Sequence, residues 1–253
     1  MRLDLLLEAR GLVDSREKGR RLIMAGEVIV GGALVDKPGT LVPGDAAIEI
    51  KARPRFVSRG GEKLLAALDH FRVDPTGWAC ADVGASTGGF TDCLLQHGAA
   101  KVYAIDVGEG ILDWKLRNDP RVVVMEGRNA RYIESLPERA RLATIDASFI
   151  SLKTLLPVIM KWLTDDGEII ALIKPQFEAG KDRVGRNGVV RDPETHRKVL
   201  TDTLTFAASI DLRTLGLIHS PLLGPAGNAE FLARLARGEG QEFGQWVENV
   251  LAG

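Results

Sequence analysis

The chain has 253 residues, of which 45% are hydrophobic and 26% charged, and its formal net charge is −1. This composition is typical of a globular protein and argues against a disordered or fibrous one. It contains no run of about 18 apolar residues, so neither a membrane-spanning helix nor a membrane partner is expected. The acidic, amphipathic segment 1–8 lacks the apolar core of a secretion signal. Two cysteines do not make a disulfide framework, so we expect a reduced, cytoplasmic setting.

The first 60 residues differ in charge from the rest of the chain. Their formal balance is +3, whereas that of the remainder is −4. Ser15 is a good helix cap, and the pair Gly31-Gly32 supplies the positive φ angles of a tight hairpin. The predicted elements of this module are helices over 2–10 and 15–24, a hairpin of 28–30 and 33–35, and a strand over 47–50.

Basic side chains gather on the second helix of this module, and a solvated helix face would also explain them. The order helix, helix, hairpin and the stretch SREKGRRLIMAGEVIVGGALVDKPG resemble the S4 RNA-binding module, over about residues 2–60. This resemblance implies that the module binds structured RNA, chiefly through phosphates and shape. The module residues expected to contact RNA are Arg2, Arg16, Lys18, Arg20, Arg21 and Lys37.

The rest of the chain alternates short apolar runs with helical stretches, which predicts an α/β domain with an open, mostly parallel, doubly wound sheet. We place the small α+β module at residues 1–52, a linker stiffened by Pro54 at 53–57, and the larger domain at 58–253. Its predicted strands are 79–83, 101–105, 122–125, 142–145, 169–173 and 211–218. Its predicted helices are 61–71, 89–97, 152–162 and 193–208.

A glycine-rich turn follows the first strand of this domain and opens a helix. Its glycines let the backbone approach a ligand closely, and the helix start offers free N–H groups. Asp106 ends the next strand, where a carboxylate can accept hydrogen bonds from both hydroxyls of a ribose. Asn129, after the third strand, could bond an adenine edge or simply cap its loop. NAD(H) is possible, but the spacing from Gly84 to Gly88 resembles the S-adenosylmethionine site of methyltransferases. The residues expected at this cofactor site are Asp82, Gly84, Ala85, Ser86, Thr87, Gly88, Gly89, Phe90, Asp106, Asn129 and Asp146.

Two lysines and two carboxylates stand where such a sheet would bring them to one cleft. Lys63 opens a helix, Asp146 and Lys174 each end an apolar run, and Glu230 follows a Gly/Pro/Asn turn. Ligands in open α/β sheets bind outside the carboxyl ends of the strands. Each residue alone would more often be an ordinary surface residue, so the interpretation depends on the four together.

These four positions resemble the Lys-Asp-Lys-Glu tetrad of FtsJ/RrmJ-type ribose 2′-O-methyltransferases. With the S4-like module and the motifs FVSRGGEKL, ADVGASTGGFTDCLL, AIDVG, DASFISL, IKPQFEAG and GPAGNAEFL, the whole chain resembles the TlyA, haemolysin-A-like family. The resemblance implies methyl transfer from S-adenosylmethionine to a ribose 2′-OH of ribosomal RNA, usually at cytidine. The implied partners are ribosomal RNA or ribosomal subunits, and no metal is needed because a sulfonium is already an activated leaving group.

The chemistry suits these residue types. A ribose hydroxyl is a poor nucleophile until its proton starts to leave, so a positioned base helps. A lysine is normally protonated, with a pKa of about 10.4 in model peptides. With Lys63 as a second cation in a closed site, Lys174 is expected to favour its neutral form and to act as the base. Asp146 and Glu230 would orient the lysines, although their charges oppose that shift.

The segment 176–192 combines three glycines with basic residues, among them Lys181, Arg183 and Arg186. It predicts a mobile loop that faces RNA beside Lys174, although an ordinary solvated loop would have the same composition.

Two other functional classes compete with the interpretation as an enzyme. The name of the haemolysin-A-like family suggests a membrane-damaging protein. The lack of a secretion signal or a membrane-spanning helix in the sequence argues against this class. A non-catalytic RNA-binding factor would not need the tetrad.

Overall fold

The computed structural model describes residues 1–51, 54–180, 183–240 and 242–252. Contacts between Cα atoms divide the chain into two compact units, Met1–Pro54 and Arg55–Gly253. Residues 55–57, predicted as the end of the linker, pack on the second unit: Phe56 is buried, and the Val57 N–H donates to the Asp92 carboxylate at 2.9 Å. The predicted domain limits at 52 and 58 otherwise stay predictions.

The first unit has two helices and a small antiparallel sheet, as predicted. Ser15 caps the second helix by accepting a hydrogen bond from the Lys18 N–H at 3.3 Å. Leu3, Leu7 and Ile23 are fully buried between the helices and the sheet. The strands lie in the order β2-β1-β3. The elements are α1 (Leu3–Ala9), α2 (Arg16–Met24), β1 (Val28–Val30), β2 (Ala33–Leu34) and β3 (Ile48–Ile50).

The second unit is a seven-stranded sheet with helices on both faces, which confirms the predicted α/β class. Its strand order is β6-β5-β4-β7-β8-β10-β9. In the described residues, β10 runs antiparallel to both of its neighbours, β8 and β9, and the other pairings are parallel. The strands are β4 (Ala79–Val83), β5 (Lys101–Ile105), β6 (Val122–Met125), β7 (Ala140–Ile145), β8 (Leu163–Ile173), β9 (Leu212–His219) and β10 (Phe231–Arg237). The helices are α3 (Gly60–Phe71), α4 (Gly89–Gln96), α5 (Trp114–Arg117), α6 (Leu152–Ile159), α7 (Pro175–Glu178), α8 (Pro193–Ser209) and α9 (Gly244–Ala252).

Several features of this unit differ from the sequence prediction. Strand β10 and helices α5, α7 and α9 were not predicted, β8 begins six residues earlier than expected, and the helix predicted over 152–162 becomes 3₁₀ from Met160 to Trp162. The sequence of β10, FLARLAR, favours a helix by propensity, and pairing on both sides overrides that preference. The polar residues Asp165 and Asp166 interrupt the apolar run from which a strand is predicted, so the start of β8 was not recognised in the sequence.

The strand register brings several loop residues to one edge of the sheet. Val83 pairs with Ile145, which in turn pairs with Ala171, so β4, β7 and β8 end close together. Because β10 is antiparallel to β8, with Phe231 opposite Ile173, its first residue lies where β8 ends. The chain therefore enters β10 at the same edge at which it leaves the other three strands. No helix in the described segments is long and apolar enough to cross a membrane.

Candidate active site

Four ionisable side chains meet at this edge as two ion pairs. The Lys63 Nζ atom lies 2.5 Å from Glu230 Oε2, and the Lys174 Nζ atom lies 2.6 Å from Asp146 Oδ1. Lys63 comes from the first turn of α3, Asp146 and Lys174 directly follow β7 and β8, and Glu230 directly precedes β10. Both lysines and Glu230 are buried. The structure thus brings together all four residues of the predicted tetrad.

The ammonium group of Lys174 has three acceptors. It donates to the Asp146 carbonyl oxygen at 3.2 Å and to Ser148 Oγ at 3.0 Å, in addition to its contact with the Asp146 carboxylate. Three acceptors match the three N–H bonds of a protonated lysine. A hydroxyl can also donate, so Ser148 could serve a neutral amine as well. A reaction in which Lys174 takes up a proton must therefore start by loosening one of these contacts.

Two glycines make room for the carboxylate residues of the tetrad. Gly84 has a φ of +84°, and a Cβ there would lie 2.8 Å from the Asp146 carbonyl oxygen, so only glycine allows this approach. A Cβ at Gly224 would overlap the carboxylate of Glu230. The turn that precedes Glu230 is therefore shaped around its side chain.

A cavity of about 280 Å³ opens over the tetrad, and all four of its residues contribute to the wall. The glycine-rich turn after β4 also forms part of the wall. Ser58 and Arg59, at the start of α3, also line the cavity and were not predicted. Arg59 is exposed, so this cleft carries a cation in addition to the two paired lysines.

A second cavity of about 470 Å³ adjoins the first, and Asp146 belongs to the wall of both. Ile105, Ile150 and Leu155 give it apolar sides, and Asp106 supplies a carboxylate. A cavity with apolar sides and carboxylates at two strand ends, Asp106 and Asp146, suits a nucleoside, since the base needs apolar contact and the ribose needs acceptors. The two adjoining cavities could hold a nucleoside and a reacting group side by side.

Backbone N–H groups orient the Asp106 carboxylate. Its Oδ2 atom accepts from the Ser86 N–H at 2.8 Å, and its Oδ1 atom accepts from the Gly108 N–H at 2.7 Å. A carboxylate has about four lone-pair positions, so two remain for a ligand. Asn129 also lines this cavity, and its side-chain oxygen accepts from the Arg131 N–H at 3.2 Å. Asn129 thus caps its loop, which was one of its two predicted roles. Its side-chain amide nitrogen can still serve the other role, a hydrogen bond to an adenine edge.

Most of the predicted cofactor residues line one of the two cavities, but two lie behind them. Asp82 is fully buried and accepts hydrogen bonds from the hydroxyls of Thr91 at 2.7 Å and Thr144 at 3.2 Å. Burial raises the pKa of its carboxyl to about 7. Gly88, with a φ of +96°, leaves room for Leu116. The turn residues in the cavity walls are Gly84, Ala85, Ser86, Thr87, Gly89 and Phe90.

Besides Ser58 and Arg59, three further residues near the tetrad were missed as candidates: Ser148, Phe149 and Gln176. Phe149 has a φ of 63°, is 90% exposed, and lies 4.9 Å from Phe177 between ring centroids. A bulky residue at positive φ is strained, and an exposed ring is costly, so both features point to function. The motifs DASFISL and IKPQFEAG contain these residues, but sequence alone indicates neither the strain nor the exposure.

The six basic residues of the first unit that were predicted to contact RNA divide into two groups. Arg2 and Arg16 both bind the buried carboxylate of Asp4, at 3.0 Å and 2.9 Å, and the hydrogen bond from Arg2 holds the pKa of Asp4 well below its usual range. Lys18 pairs with Asp14 at 2.5 Å. In the described part of the chain, an exposed second group forms no ion pair. Its members are Arg20, Arg21 and Lys37.

The predicted RNA-facing loop is described only in part. Lys181 and the side chain of Arg186 lie outside the described residues. Arg183 is exposed and lies near Asp192 and Glu194 in the wall of a shallow surface cavity. Its role in RNA binding stays a prediction. Within the described segments, no group of three or more histidine, cysteine or acidic side chains could hold a metal ion.

Comparison with known proteins agrees with this geometry. The family model of FtsJ-like methyltransferases matches residues 56–237, and that of the S4 domain matches residues 1–48. The chain belongs to the FtsJ-like methyltransferase family. The predictions of a methyltransferase enzyme and of an N-terminal S4 domain are therefore confirmed.

Relatives of this FtsJ-like methyltransferase cover nearly all of its length. A candidate rRNA methyltransferase of Bacillus subtilis, YqxC, is 49% identical over 95% of this chain and 88% of its own. The 16S/23S rRNA (cytidine-2′-O)-methyltransferase TlyA of Mycobacterium tuberculosis is 44% identical over 91% and 87%. A solved structure of a candidate hemolysin from Streptococcus thermophilus has a TM-score of 0.77 and 43% identity, over 100% and 94%. The resemblance to the TlyA, haemolysin-A-like family is confirmed.

Proposed function

We propose that this methyltransferase transfers a methyl group from S-adenosylmethionine to the ribose 2′-OH of a cytidine in ribosomal RNA. The observation that carries the proposal is the two-pair cluster of Lys63, Asp146, Lys174 and Glu230 beside a nucleoside-sized cavity. The name of the Mycobacterium tuberculosis relative supports the cytidine and the ribosomal RNA.

The cavity of about 470 Å³ fits the methyl donor. Asp106 would accept the ribose hydroxyls of its nucleoside on the lone pairs that the backbone leaves free. Ile105 and Leu155 would contact the adenine, and the Asn129 amide would bond its edge. When bound, S-adenosylmethionine supplies an activated methyl group on a positively charged sulfur. Asp146 lines both cavities and would face that charge.

The neighbouring cavity would receive the target ribose. As the 2′ oxygen forms its bond to the methyl carbon and the methyl–sulfur bond breaks, the hydroxyl proton must leave. Lys174, in its neutral form and with its lone pair released from Ser148, would accept that proton as the base. Lys63 and Glu230 would orient the ribose and stabilise the charge that develops. The tetrad acts as a coupled unit because each carboxylate binds one lysine.

The S4 domain would hold the RNA during this reaction. Its exposed cations Arg20, Arg21 and Lys37 are suited to phosphate contacts. Arg2 and Arg16, which were also predicted to contact RNA, already share the carboxylate of Asp4. Their charge toward RNA is partly neutralised, so we assign them a smaller share of the binding.

The test is transfer of a radiolabelled methyl group from S-adenosylmethionine to isolated small and large ribosomal subunits, followed by mapping of the modified ribose. Labelling at one cytidine 2′ oxygen is expected. Lys174→Ala should abolish transfer and leave donor binding within about threefold of wild type, because Lys174 does not line the larger cavity. Transfer by Lys174→Ala at a near-native rate would disprove the base assignment. Absence of any wild-type transfer to either subunit would disprove the proposed function.

A further inference from the structure

A third cavity, of about 310 Å³, lies beside Lys174 and Ser148, and the side chain of Gln176 forms part of its wall. A fourth cavity, of about 490 Å³, lies against the same glutamine. Gln176 therefore stands between two spaces, two positions along the chain from the lysine assigned as the base. The side chains common to the walls of both cavities are Phe149, Gln176, Phe177 and Val184.

The orientation of the Gln176 amide is determined by its neighbour. Its Nε2 atom donates to Glu230 Oε1 at 3.3 Å, and an ionised carboxylate can only accept, so the nitrogen must face Glu230. The Oε1 atom then points elsewhere; it is buried and has no hydrogen-bond partner in the described part of the chain. A buried acceptor without a partner is uncommon and costly in a folded protein, so this atom calls for a donor.

We propose that Gln176 Oε1 accepts a hydrogen bond from the exocyclic amine of the target cytosine and so selects cytidine over uridine. This inference rests on the proposed function, which places the target ribose next to Lys174. The cytosine attached to that ribose then lies within reach of Gln176. Cytosine carries an amine donor at the position where uracil carries a carbonyl acceptor. A uracil would bring one acceptor against another, and its carbonyl would stay unpaired.

Glu230 makes this selection one-sided. If the amide of Gln176 turned over to offer its nitrogen to uracil, its oxygen would face the Glu230 carboxylate, and two acceptors would meet. Because Oε1 is buried, the entering base must displace one of the apolar side chains that share both walls. Val184 and Phe177 are the candidates, since they line the same two cavities as Gln176.

The test uses the full chain and ribosomal RNA transcripts that carry either cytidine or uridine at the mapped target position. Single-turnover methyl transfer gives kcat/KM for each. We expect the wild type to prefer cytidine by about 100-fold, because a site built to hydrogen-bond a group rejects an analogue that lacks it. Gln176→Met keeps the length of the side chain and removes the acceptor. It should lower the preference at least about tenfold, mainly through slower transfer to cytidine.

Val184→Ala is the matched control, since it alters the same wall without removing a polar atom. It should change both rates by the same factor and leave the preference intact. Gln176→Ala serves as a second variant if the methionine variant does not fold. Equal loss on cytidine and uridine in the Gln176 variants would show that the glutamine only supports Glu230, and would overturn the proposal. A wild type that methylates both transcripts equally well would overturn it too. A wild type that methylates no ribosomal RNA would remove the proposed function itself, and this inference with it.

Discussion

Lys63 and Glu230 are 167 positions apart in the chain and form a buried ion pair of 2.5 Å. Their side chains are 10% and 0% exposed, so neither charge has much access to water. A buried charge that loses its partner is costly, whereas a buried pair replaced by neutral groups often is not. The pair therefore couples the start of α3 to the start of β10, and it links stability to the chemistry of the site.

The first prediction separates these two contributions. Lys63→Met leaves the Glu230 carboxylate buried beside the Gln176 amide and without its cation, so we expect a loss of about 3 kcal/mol in the free energy of unfolding. The double variant Lys63→Met with Glu230→Gln should recover most of that loss, because no unpaired charge remains. Methyl transfer should stay abolished in both. Urea unfolding and single-turnover assays measure the two effects. A double variant as unstable as the single one would contradict this account of the pair.

The second prediction tests the space that Gly224 leaves for Glu230. A Cβ at Gly224 would overlap the Glu230 carboxylate, while the φ of −69° at this position is open to alanine. Gly224→Ala should therefore displace the carboxylate and lower kcat at least about tenfold, with little effect on donor binding. Gly244→Ala is the matched control, since nothing lies within 4 Å of a Cβ there. Equal activity of the two variants would show that the carboxylate can move without loss.

Most strands of the sheet were predictable from local pattern, whereas the four tetrad residues were chosen because their positions resemble the tetrad of FtsJ/RrmJ-type methyltransferases. Asp146 and Lys174 each end an apolar run, and parallel strands end at one edge of a sheet. The pairing within the tetrad was not predictable, because it depends on the antiparallel return of β10, whose sequence favours a helix. The turn motif also led us to predict Asp82 at the cofactor site. It belongs to the turn motif by position, but it faces Thr91 and Thr144 behind the cavity wall.

The third prediction concerns Asp82 and pH. Burial raises the pKa of its carboxyl from 3.8 to about 7 in the folded protein. The unfolded chain releases this proton at lower pH, so the stabilisation by neutral Asp82 is complete below about pH 4 and is lost as pH rises toward 7. An asparagine at this position cannot ionise. The free energy of unfolding of Asp82→Asn, relative to wild type, should thus rise by roughly 2 to 3 kcal/mol between pH 5 and pH 8.

Urea unfolding at a series of pH values measures this difference. Carboxyls with a lowered pKa, such as Glu126 at about 2, keep their contribution constant over this window and do not mask the trend. Asp165→Asn, at a side chain that is 99% exposed, is the control for removing one acidic group from the protein. A relative stability of Asp82→Asn that does not change with pH would show that Asp82 stays ionised in the fold.

The fourth prediction distinguishes the two groups of cations in the S4 domain. Arg20 and Arg21 are exposed and form no ion pair in the described part of the chain, whereas Arg16 binds the buried Asp4. The double variant Arg20→Ala with Arg21→Ala should weaken binding to ribosomal RNA and reduce the slope of log K against log salt by about 2, or about 1 per phosphate contact. Its stability should stay within about 0.5 kcal/mol of wild type, as for most surface substitutions.

Arg16→Ala is the counterpart, because it should destabilise the domain more and change the salt slope less. Filter binding at several salt concentrations gives the slopes, and hydrogen exchange of α1 and α2 gives the local stability. A salt slope that changes more for Arg16→Ala than for the double variant would mean that Asp4 does not withdraw Arg16 from the RNA.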